Sequence, residues 1–284
     1  MNTATVEQAL AGACALGLAR LDAQLLLCAA LQRPRPWLLA HGEHLLDGPQ
    51  AGRFRALVAR RAEGEPVAYL LGAKEFYGLQ LHVNDSVMVP RPDTETLVAW
   101  ALELLHAGPA RPRVADLGTG SGAIALALAH AWPQARVCAL DASEPALAVA
   151  RANGQRLGLD VEWLHSDWWQ ALAGRRFDLV ASNPPYIAAG DPHLAALRHE
   201  PVSALTPGGD GLGALRTLIE SAPDHLEPGG WLLLEHGLDQ ADAVRALLLR
   251  AGFDAVSTRL DLAGRPRCSG GRCKSPSTGV TKTV

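Results

Sequence analysis

Strand-like and helix-like segments alternate from Arg113 to Arg272, and this alternation constrains the fold more than any other feature. Short apolar runs are followed by longer segments of helical periodicity, with glycine or proline between them. Such alternation with short connections predicts an α/β fold, a parallel sheet covered by helices on both faces. The predicted strands are Arg113–Asp116, Arg136–Asp141, Val161–Leu164, Leu179–Ser182, Trp231–Glu235, Ala255–Arg259 and Pro266–Arg272, the last two completing one edge. The predicted helices begin at Gly122, Glu144 and Gly211, and a further one runs from Asp239 to Ala251.

The first 73 residues have a purely helical pattern instead. The predicted helices are Val6–Gly17, Leu21–Leu31, a short helix with Pro36 just inside its start, and a fourth from Pro49 to Glu63. Residues 74–89 alternate apolar and polar side chains, and Asn84-Asp85 is a turn signal, which predicts a β-hairpin. Another helix should end near His106.

These changes of pattern predict the domain organisation. We expect a helical domain over residues 1–73, a hairpin linker over 74–89, an α/β domain over 90–273 and a disordered tail over 274–284. The tail is predicted to be disordered because it lacks apolar anchors. The helical domain is either a packing partner of the α/β domain or a module that docks a substrate.

Composition argues against several classes of protein. The net charge of −3 does not indicate the basic surface that a protein usually needs to bind nucleic acid unaided. Five cysteines are an odd number, which argues against a disulfide framework, and the spacing of Cys268 and Cys273 does not predict a zinc site or any other metal site. Glu7, Arg20 and Asp22 interrupt the N-terminal apolar run, so no signal peptide is predicted, and no stretch is long enough to cross a bilayer. We therefore expect a reducing cytoplasm and no membrane partner.

A glycine-rich loop, Val114–Gly122, follows the first strand of the predicted sheet and opens a helix. Glycine lets the backbone turn tightly and approach a ligand closely. Gly118, Gly120 and Ala123 formally satisfy the dinucleotide pattern G-x-G-x-x-[GA]. Asp116 argues against a dinucleotide, because its carboxylate would repel a pyrophosphate, whereas it suits the ammonium group of S-adenosylmethionine.

Three further residues follow the next two strands. Asp141 ends the second strand, from which a carboxylate can hold both ribose hydroxyls. Asp167 and Trp168 follow the third strand, where Asp167 would accept a hydrogen bond from an adenine amine and Trp168 would cover the ring. A solvated Asp beside a core Trp is an equal alternative for this pair.

The motif Asn183-Pro184-Pro185-Tyr186 ends the fourth strand. The prolines remove N–H donors and fix φ, so the Pro184 carbonyl is free to accept a hydrogen bond. The Asn183 side-chain oxygen is a second acceptor, and Tyr186 offers a stacking face. Two convergent acceptors complement an NH₂ group on a planar substrate, and fixing a weakly nucleophilic amide nitrogen beside a methyl donor would let positioning perform most of the catalysis.

With these motifs, the chain resembles the release factor glutamine methyltransferase family over nearly its whole length. The resemblance rests on residues 65–70, 90–95, 116–122, 182–187, 200–201, 208–212 and 234–237, and the Pro-Arg-Pro-Asp-Thr-Glu block at 90–95 is its most specific mark. It implies a Rossmann-like, seven-stranded methyltransferase domain, and we expect the protein to be a monomer. The implied reaction transfers a methyl group from S-adenosyl-L-methionine to the glutamine N5 in the Gly-Gly-Gln loop of class-one peptide chain release factors, modulating translation termination.

The resemblance also assigns site residues. The implied catalytic residues are Asn183, Pro184 and Tyr186, joined in substrate binding by Pro185. The implied cofactor-binding residues are Gly118, Thr119, Gly120, Ser121, Gly122, Asp141, Asp167, Trp168 and Asn183. The glycine-rich stretch Cys268–Arg272 departs from the family pattern and puts the edge strand in doubt.

Other interpretations stay open. A glutamine methyltransferase of a ribosomal protein would share the whole site, and an adenine-N6 nucleic-acid methyltransferase would use the same acceptors but needs a basic groove. A nicotinamide-dependent oxidoreductase would use the glycine loop alone. Arg91 and Glu95 are expected either near the substrate pocket or as a surface ion pair. Glu200-Pro201 and residues 208–211 suggest a lid or a disordered loop, and His236 is given no role.

Overall fold

The computed structural model describes residues 4–274, so the predicted tail lies outside the described residues from position 275 onward. The chain divides into two compact units between Lys74 and Glu75. No helix within residues 4–274 is long and apolar enough to span a membrane.

The N-terminal unit is a small helical bundle. Its helices are α1 (Val6–Ala15), α2 (Arg20–Leu31), α3 (Arg35–Ala40), α4 (Gly48–Ala62) and α5 (Val67–Leu71). Capping boxes begin two of them: Thr5 pairs with Gln8 at α1, and Asp47 pairs with Gln50 at α4. The predicted extension of α1 to Gly17 is wrong, because Gly17 adopts φ +90° and ends the helical turn.

A two-stranded hairpin follows, formed by β1 (Ala73–Phe76) and β2 (Leu79–His82). Its turn is Tyr77-Gly78, with φ values of +48° and +78°, as hairpin turns of the primed type require. The prediction that Asn84-Asp85 marks the hairpin turn is wrong. Asn84 makes a local turn after the hairpin, where its Oδ1 accepts a hydrogen bond from Ser86 N at 3.0 Å.

The C-terminal unit is a seven-stranded α/β fold, as predicted. Its strands are β3 (Arg113–Leu117), β4 (Arg136–Asp141), β5 (Glu162–His165), β6 (Phe177–Ser182), β7 (Leu226–Glu235), β8 (Asp254–Leu260) and β9 (Pro266–Arg272). Its helices are α6 (Glu95–His106), α7 (Ala123–Ala131), α8 (Glu144–Leu157), α9 (Val202–Leu205), α10 (Gly213–His225) and α11 (Ala241–Arg250). The strand order is β5-β4-β3-β6-β7-β9-β8, and the pairs are parallel except those that β9 makes with β7 and β8.

Neighbouring residues of one strand pack on opposite faces of this sheet, so both faces carry a hydrophobic core. In β3, Val114 belongs to one core cluster and Ala115 to the other, and both are fully buried. The order of strands reverses at β3, which has β4 on one side and β6 on the other. Ligands of open α/β sheets bind at the carboxyl ends of the strands at such a switch point.

Close packing explains why β9 contains two adjacent glycines. A Cβ added at Gly270 would lie 2.5 Å from Leu233 Cδ2 and 2.7 Å from the Leu232 carbonyl oxygen, and one at Gly271 would lie 2.9 Å from Phe253 Cβ. The glycine-rich stretch is therefore a strand between β7 and β8, and at Gly270 and Gly271 its neighbours leave no room for a side chain.

Candidate active site

The glycine loop crosses from the end of β3 to the start of α7 over the end of β4. The backbone N–H groups of Gly118 and Thr119 both donate to the Leu140 carbonyl oxygen at 2.9 Å. Gly118, Gly120 and Gly122 adopt φ values of +73°, +56° and +85°. These left-handed conformations disfavour residues with a Cβ.

Asp116 forms hydrogen bonds that hold the glycine loop in place. Its side chain is fully buried, and its Oδ2 accepts hydrogen bonds from Thr119 Oγ1 at 2.6 Å and from Ala125 N at 3.1 Å. Burial raises the pKa of this carboxyl to about 7. These two hydrogen bonds hold the loop, and Asp116 is not among the residues that line the cavity described below.

Asp141 holds the same loop from the side. Its Oδ2 accepts from Gly120 N at 2.8 Å and its Oδ1 accepts from Ser143 N at 2.9 Å. Burial raises the pKa of this carboxyl, and the backbone hydrogen bonds partly oppose that rise. Because each carboxylate oxygen has a second acceptor site, Asp141 can still accept hydrogen bonds from hydroxyl groups in the cavity.

Trp168 packs against the first glycine of the loop. A Cβ at Gly118 would lie 3.3 Å from Trp168 Cζ3, so a side chain there would press on the indole ring. Trp168 itself adopts φ +48°, an uncommon conformation for a tryptophan that its surroundings must hold. Asp167, beside it, accepts a hydrogen bond from Gln170 Nε2 at 3.4 Å.

Asn183 is linked to the segment before α6. Its Nδ2 donates to Thr94 Oγ1 at 3.2 Å, across 89 positions of the chain. Tyr186 is held separately, because its hydroxyl donates to Glu235 Oε1 at 3.2 Å and its carbonyl accepts from Gln240 Nε2 at 3.0 Å. Burial raises the pKa of the Glu235 carboxyl to about 7, partly offset by hydrogen bonding from Thr94 and by other neighbours.

One cavity of about 340 Å³ joins most of the predicted site residues. This volume lies within the range of small-molecule sites. The predicted residues that line it are Gly118, Thr119, Gly120, Ser121, Asp141, Asp167, Trp168, Asn183 and Pro185. Gly122, Pro184 and Tyr186 are not among its lining residues. Gly122 faces the core instead, since a Cβ there would lie 2.9 Å from Leu126 Cδ1.

Comparisons with known proteins agree with this architecture. Residues 4–72 match the PrmC N-terminal domain, and residues 97–212 match the methyltransferase small domain. A solved methyltransferase of Pyrococcus furiosus superposes with a TM-score of 0.54 at 19% identity, covering 76% of this chain and 98% of that one, which supports the fold alone.

Two relatives decide the family. The release factor glutamine methyltransferase of Xylella fastidiosa is 53% identical over 89% of this chain and 93% of its own length. The enzyme of the same name from Bordetella pertussis is 53% identical over 90% of this chain and 95% of its own length. This chain belongs to the release factor glutamine methyltransferase family. It is therefore a protein-glutamine methyltransferase, and the predicted fold class and enzyme class are confirmed.

Of the two alternatives for Arg91 and Glu95, the surface ion pair between them does not form. Arg91 instead donates to Glu200 Oε1, while Glu95 Oε1 accepts from Tyr77 N at 3.1 Å. The Glu200 side chain is 2% exposed, and its Oε2 also accepts from Val89 N at 2.9 Å. Glu200 thus ties residues 89–91 to the segment before α9, and both segments line the cavity.

Two functional candidates, Thr94 and Glu235, were missed in the sequence, and Glu200 was considered only as part of a lid or a disordered loop. Each lies in a segment that marks the family resemblance, which is a signal of importance without a signal of role. Their partners are distant in sequence, so only the fold brings them together. His236 has a structural role, because it is fully buried between Ser269 Oγ and the Gly237 carbonyl, each at 2.8 Å from a ring nitrogen.

Proposed function

We propose that this methyltransferase transfers a methyl group from S-adenosylmethionine to the side-chain nitrogen of the glutamine in the Gly-Gly-Gln loop of class-one peptide release factors. One observation carries the proposal: Asn183 and the glycine loop line the same cavity. A residue suited to hold an amide and a loop suited to hold a cofactor therefore meet in one small space. The relatives at 53% identity bear the name of this reaction.

The residues of the cavity fit S-adenosylmethionine. A Cβ at Gly120 would meet no atom within 4 Å, so the open space beside this glycine can receive the methionine part of a ligand. Asp141 offers carboxylate acceptors for ribose hydroxyls, and Trp168 offers an aromatic surface for adenine. No phosphate-binding cation is needed. Bound S-adenosylmethionine would supply an electrophilic methyl group with a good leaving group.

The remaining catalytic task belongs to the Asn183–Tyr186 corner. Asn183 Oδ1 and the Pro184 carbonyl oxygen would accept the two N–H groups of the glutamine amide. Both hydrogen bonds immobilise the nitrogen and direct it towards the methyl group, which lowers the entropic part of the barrier. Tyr186, fixed through Glu235 and Gln240, would position the corner and pack beside the flat carboxamide.

We further propose that the N-terminal helical unit helps to hold the protein substrate. Its surface carries exposed leucines, namely Leu16 at 67%, Leu21 at 49%, Leu39 at 66% and Leu45 at 56% exposure. Leu39→Ser should raise KM for an intact release factor and leave KM for a short Gly-Gly-Gln peptide unchanged. Equal KM values for the intact factor in variant and wild type would exclude Leu39 from docking.

The substrate assignment is tested by offering the enzyme several candidate proteins. Labelled S-adenosylmethionine is incubated with the enzyme and purified release factors or ribosomal proteins, and mass spectrometry then locates the label. We expect label on the Gly-Gly-Gln glutamine and none on a release factor in which that glutamine is alanine. Label confined to a ribosomal protein would replace the proposed substrate and leave the proposed chemistry intact.

A further inference from the structure

Asn153 is a fully buried polar side chain within α8, in a part of the chain where the sequence shows no functional motif. Asparagine is a poor residue for a helix interior. A buried amide also costs free energy unless its polar atoms find hydrogen-bond partners. The partners of Asn153 therefore indicate why an asparagine occupies this position.

The Asn153 amide pairs with the backbone of His82, the last residue of β2. Its Oδ1 accepts from His82 N at 2.7 Å, and its Nδ2 donates to the His82 carbonyl oxygen at 2.9 Å. A residue of a neighbouring antiparallel strand would make the same pair of hydrogen bonds. Nδ2 also donates to the Ser121 carbonyl oxygen at 3.0 Å. One side chain thus joins α8, the hairpin and the glycine loop.

These hydrogen bonds allow only one orientation of the amide. The His82 N–H needs an acceptor, whereas the carbonyl oxygens of His82 and Ser121 both need a donor. An asparagine Oδ1 and the two N–H groups of Nδ2 satisfy all three backbone groups at once. Asn153 therefore fixes where the end of β2 lies relative to the glycine loop.

Both of the segments that Asn153 joins lead into the cavity of the active site. Ser121 lines the cavity itself. Residues 83–90 follow His82 directly, and they contribute the lining residues Ser86, Val87, Met88 and Pro90. Near the far end of this stretch, Glu200 Oε2 accepts from Val89 N at 2.9 Å. Residues 83–90 are thus held by Asn153 at one end and by Glu200 at the other.

We propose that Asn153 is a positioning residue for the cofactor, which fixes the separation between the glycine loop and residues 83–90. That separation sets the width of the cavity that receives S-adenosylmethionine. The inference rests on the proposed function, since S-adenosylmethionine is the methyl donor of the proposed reaction. Asn153 is not among the residues that line the cavity, so it acts through the backbone of His82 and Ser121.

Asn153→Asp is the main test, because it keeps the shape and the acceptor for His82 N–H and removes both N–H donors. A carboxylate would then face the carbonyl oxygens of His82 and Ser121, and the hairpin and the loop should move apart. We expect the Kd for S-adenosylmethionine, measured by calorimetric titration, to rise about fivefold or more, as for the loss of about one net hydrogen bond. Asn153→Ala, which removes all of these hydrogen bonds, should raise the Kd at least as much.

Leu248→Ala is the matched control for a general loss of stability. Leu248 is fully buried on α11, which packs against β8 and β9, at the opposite edge of the sheet from β5. Its truncation should lower the melting temperature because it leaves a cavity in the core, and the Kd for S-adenosylmethionine should stay at the wild-type value. An equal rise of Kd in Leu248→Ala and Asn153→Asp would overturn the positioning role.

Steady-state kinetics separate positioning from destabilisation on whichever glutamine substrate the wild type methylates. In Asn153→Asp, KM for S-adenosylmethionine should rise while kcat at saturating cofactor stays close to that of the wild type. A purely structural role would lower kcat through the fraction of folded enzyme and leave KM unchanged, and that result would contradict the proposal.

Hydrogen exchange of the free protein tests the same contacts without any ligand. The amides of His82 and of residues 86–89 should exchange faster in Asn153→Asp than in the wild type or in Leu248→Ala. Unchanged exchange there, or a wild-type Kd in folded Asn153→Asp, would overturn the inference. A wild-type protein that does not bind S-adenosylmethionine would instead overturn the proposed function, so the two failures are distinguishable.

Discussion

Arg91 and Glu200 form an ion pair that joins two segments 109 positions apart, with the carboxylate almost fully buried. The same carboxylate satisfies the backbone N–H of Val89. Pro90 and Pro201, next to the paired residues, both line the cavity. The pair therefore sets the position of two cavity walls, and it connects the stability of the fold to the shape of the site.

Glu200→Ala should destabilise the protein and weaken cofactor binding together. Loss of the carboxylate leaves the Val89 N–H without its buried acceptor and Arg91 without its partner, which costs about 2–3 kcal/mol. Arg245→Ala is the control, since its pair with Asp242 is exposed and should contribute little. Thermal unfolding and S-adenosylmethionine titration measure both effects. Wild-type stability in Glu200→Ala would show that the Arg91–Glu200 pair does not stabilise the fold.

Gly120→Ala should impair cofactor binding. Its φ of +56° makes an alanine cost about 1–2 kcal/mol, and its Cβ would project into open space beside the loop. Gly158→Ala is a matched control, because Gly158 has φ +66°, no atom within 4 Å of the added Cβ, and a place outside the cavity lining. Both should lower the melting temperature similarly, and only Gly120→Ala should raise the Kd for S-adenosylmethionine. A similar Kd for S-adenosylmethionine in both variants would show that the glycine loop does not bind the cofactor.

Gly270→Ala should strongly destabilise the C-terminal unit. The added Cβ would overlap Leu233 and the Leu232 carbonyl, and overpacking of this kind costs about 1–3 kcal/mol or more. Gly12→Ala, in α1 with open space around the added Cβ, should instead stabilise its helix slightly. We therefore expect Gly270→Ala to lower the melting temperature and Gly12→Ala to raise it slightly. A neutral Gly270→Ala would show that β9 is not packed as described.

The stability of the protein should depend on pH through Glu235. Its pKa is raised from 4.5 to about 7, so the folded protein binds this proton more tightly, and the stabilising effect is lost as pH rises through about 7. Arg267, Asp93 and Tyr186 also face this carboxyl.

Glu235→Gln tests this dependence directly. The slope of its stability against pH should be smaller than that of the wild type. Stability is measured by urea unfolding at a series of pH values. An unchanged slope in Glu235→Gln would assign the pH dependence to another group.

The fold was largely predictable because its signals are local. Apolar runs ended by Asp or Ser predicted β4 at its observed bounds and the end of β6 at Ser182. The hairpin turn was misplaced because Asn84-Asp85 is a stronger turn signal than Tyr77-Gly78, although the latter pair makes the turn. Local signals also identified the glycine loop and the Asn183–Tyr186 corner.

The supporting contacts of the site could not be predicted in this way. An ion pair of Arg91 with Glu95, four positions away, is only one of two alternatives that the sequence offers, whereas the actual partner of Arg91 is 109 positions away. Thr94 meets Asn183 across 89 positions. Such pairings depend on the order of strands and on the path of loops, and a single sequence carries no local signal for either.

The central claim is that the side-chain oxygen of Asn183 holds the glutamine amide during transfer, and Asn183→Ala tests it most directly. Single-turnover methylation of a purified release factor is measured beside S-adenosylmethionine titration of the same variant. We expect the transfer rate to fall by about 100-fold or more while the cofactor still binds. Transfer at the wild-type rate by Asn183→Ala would contradict the account.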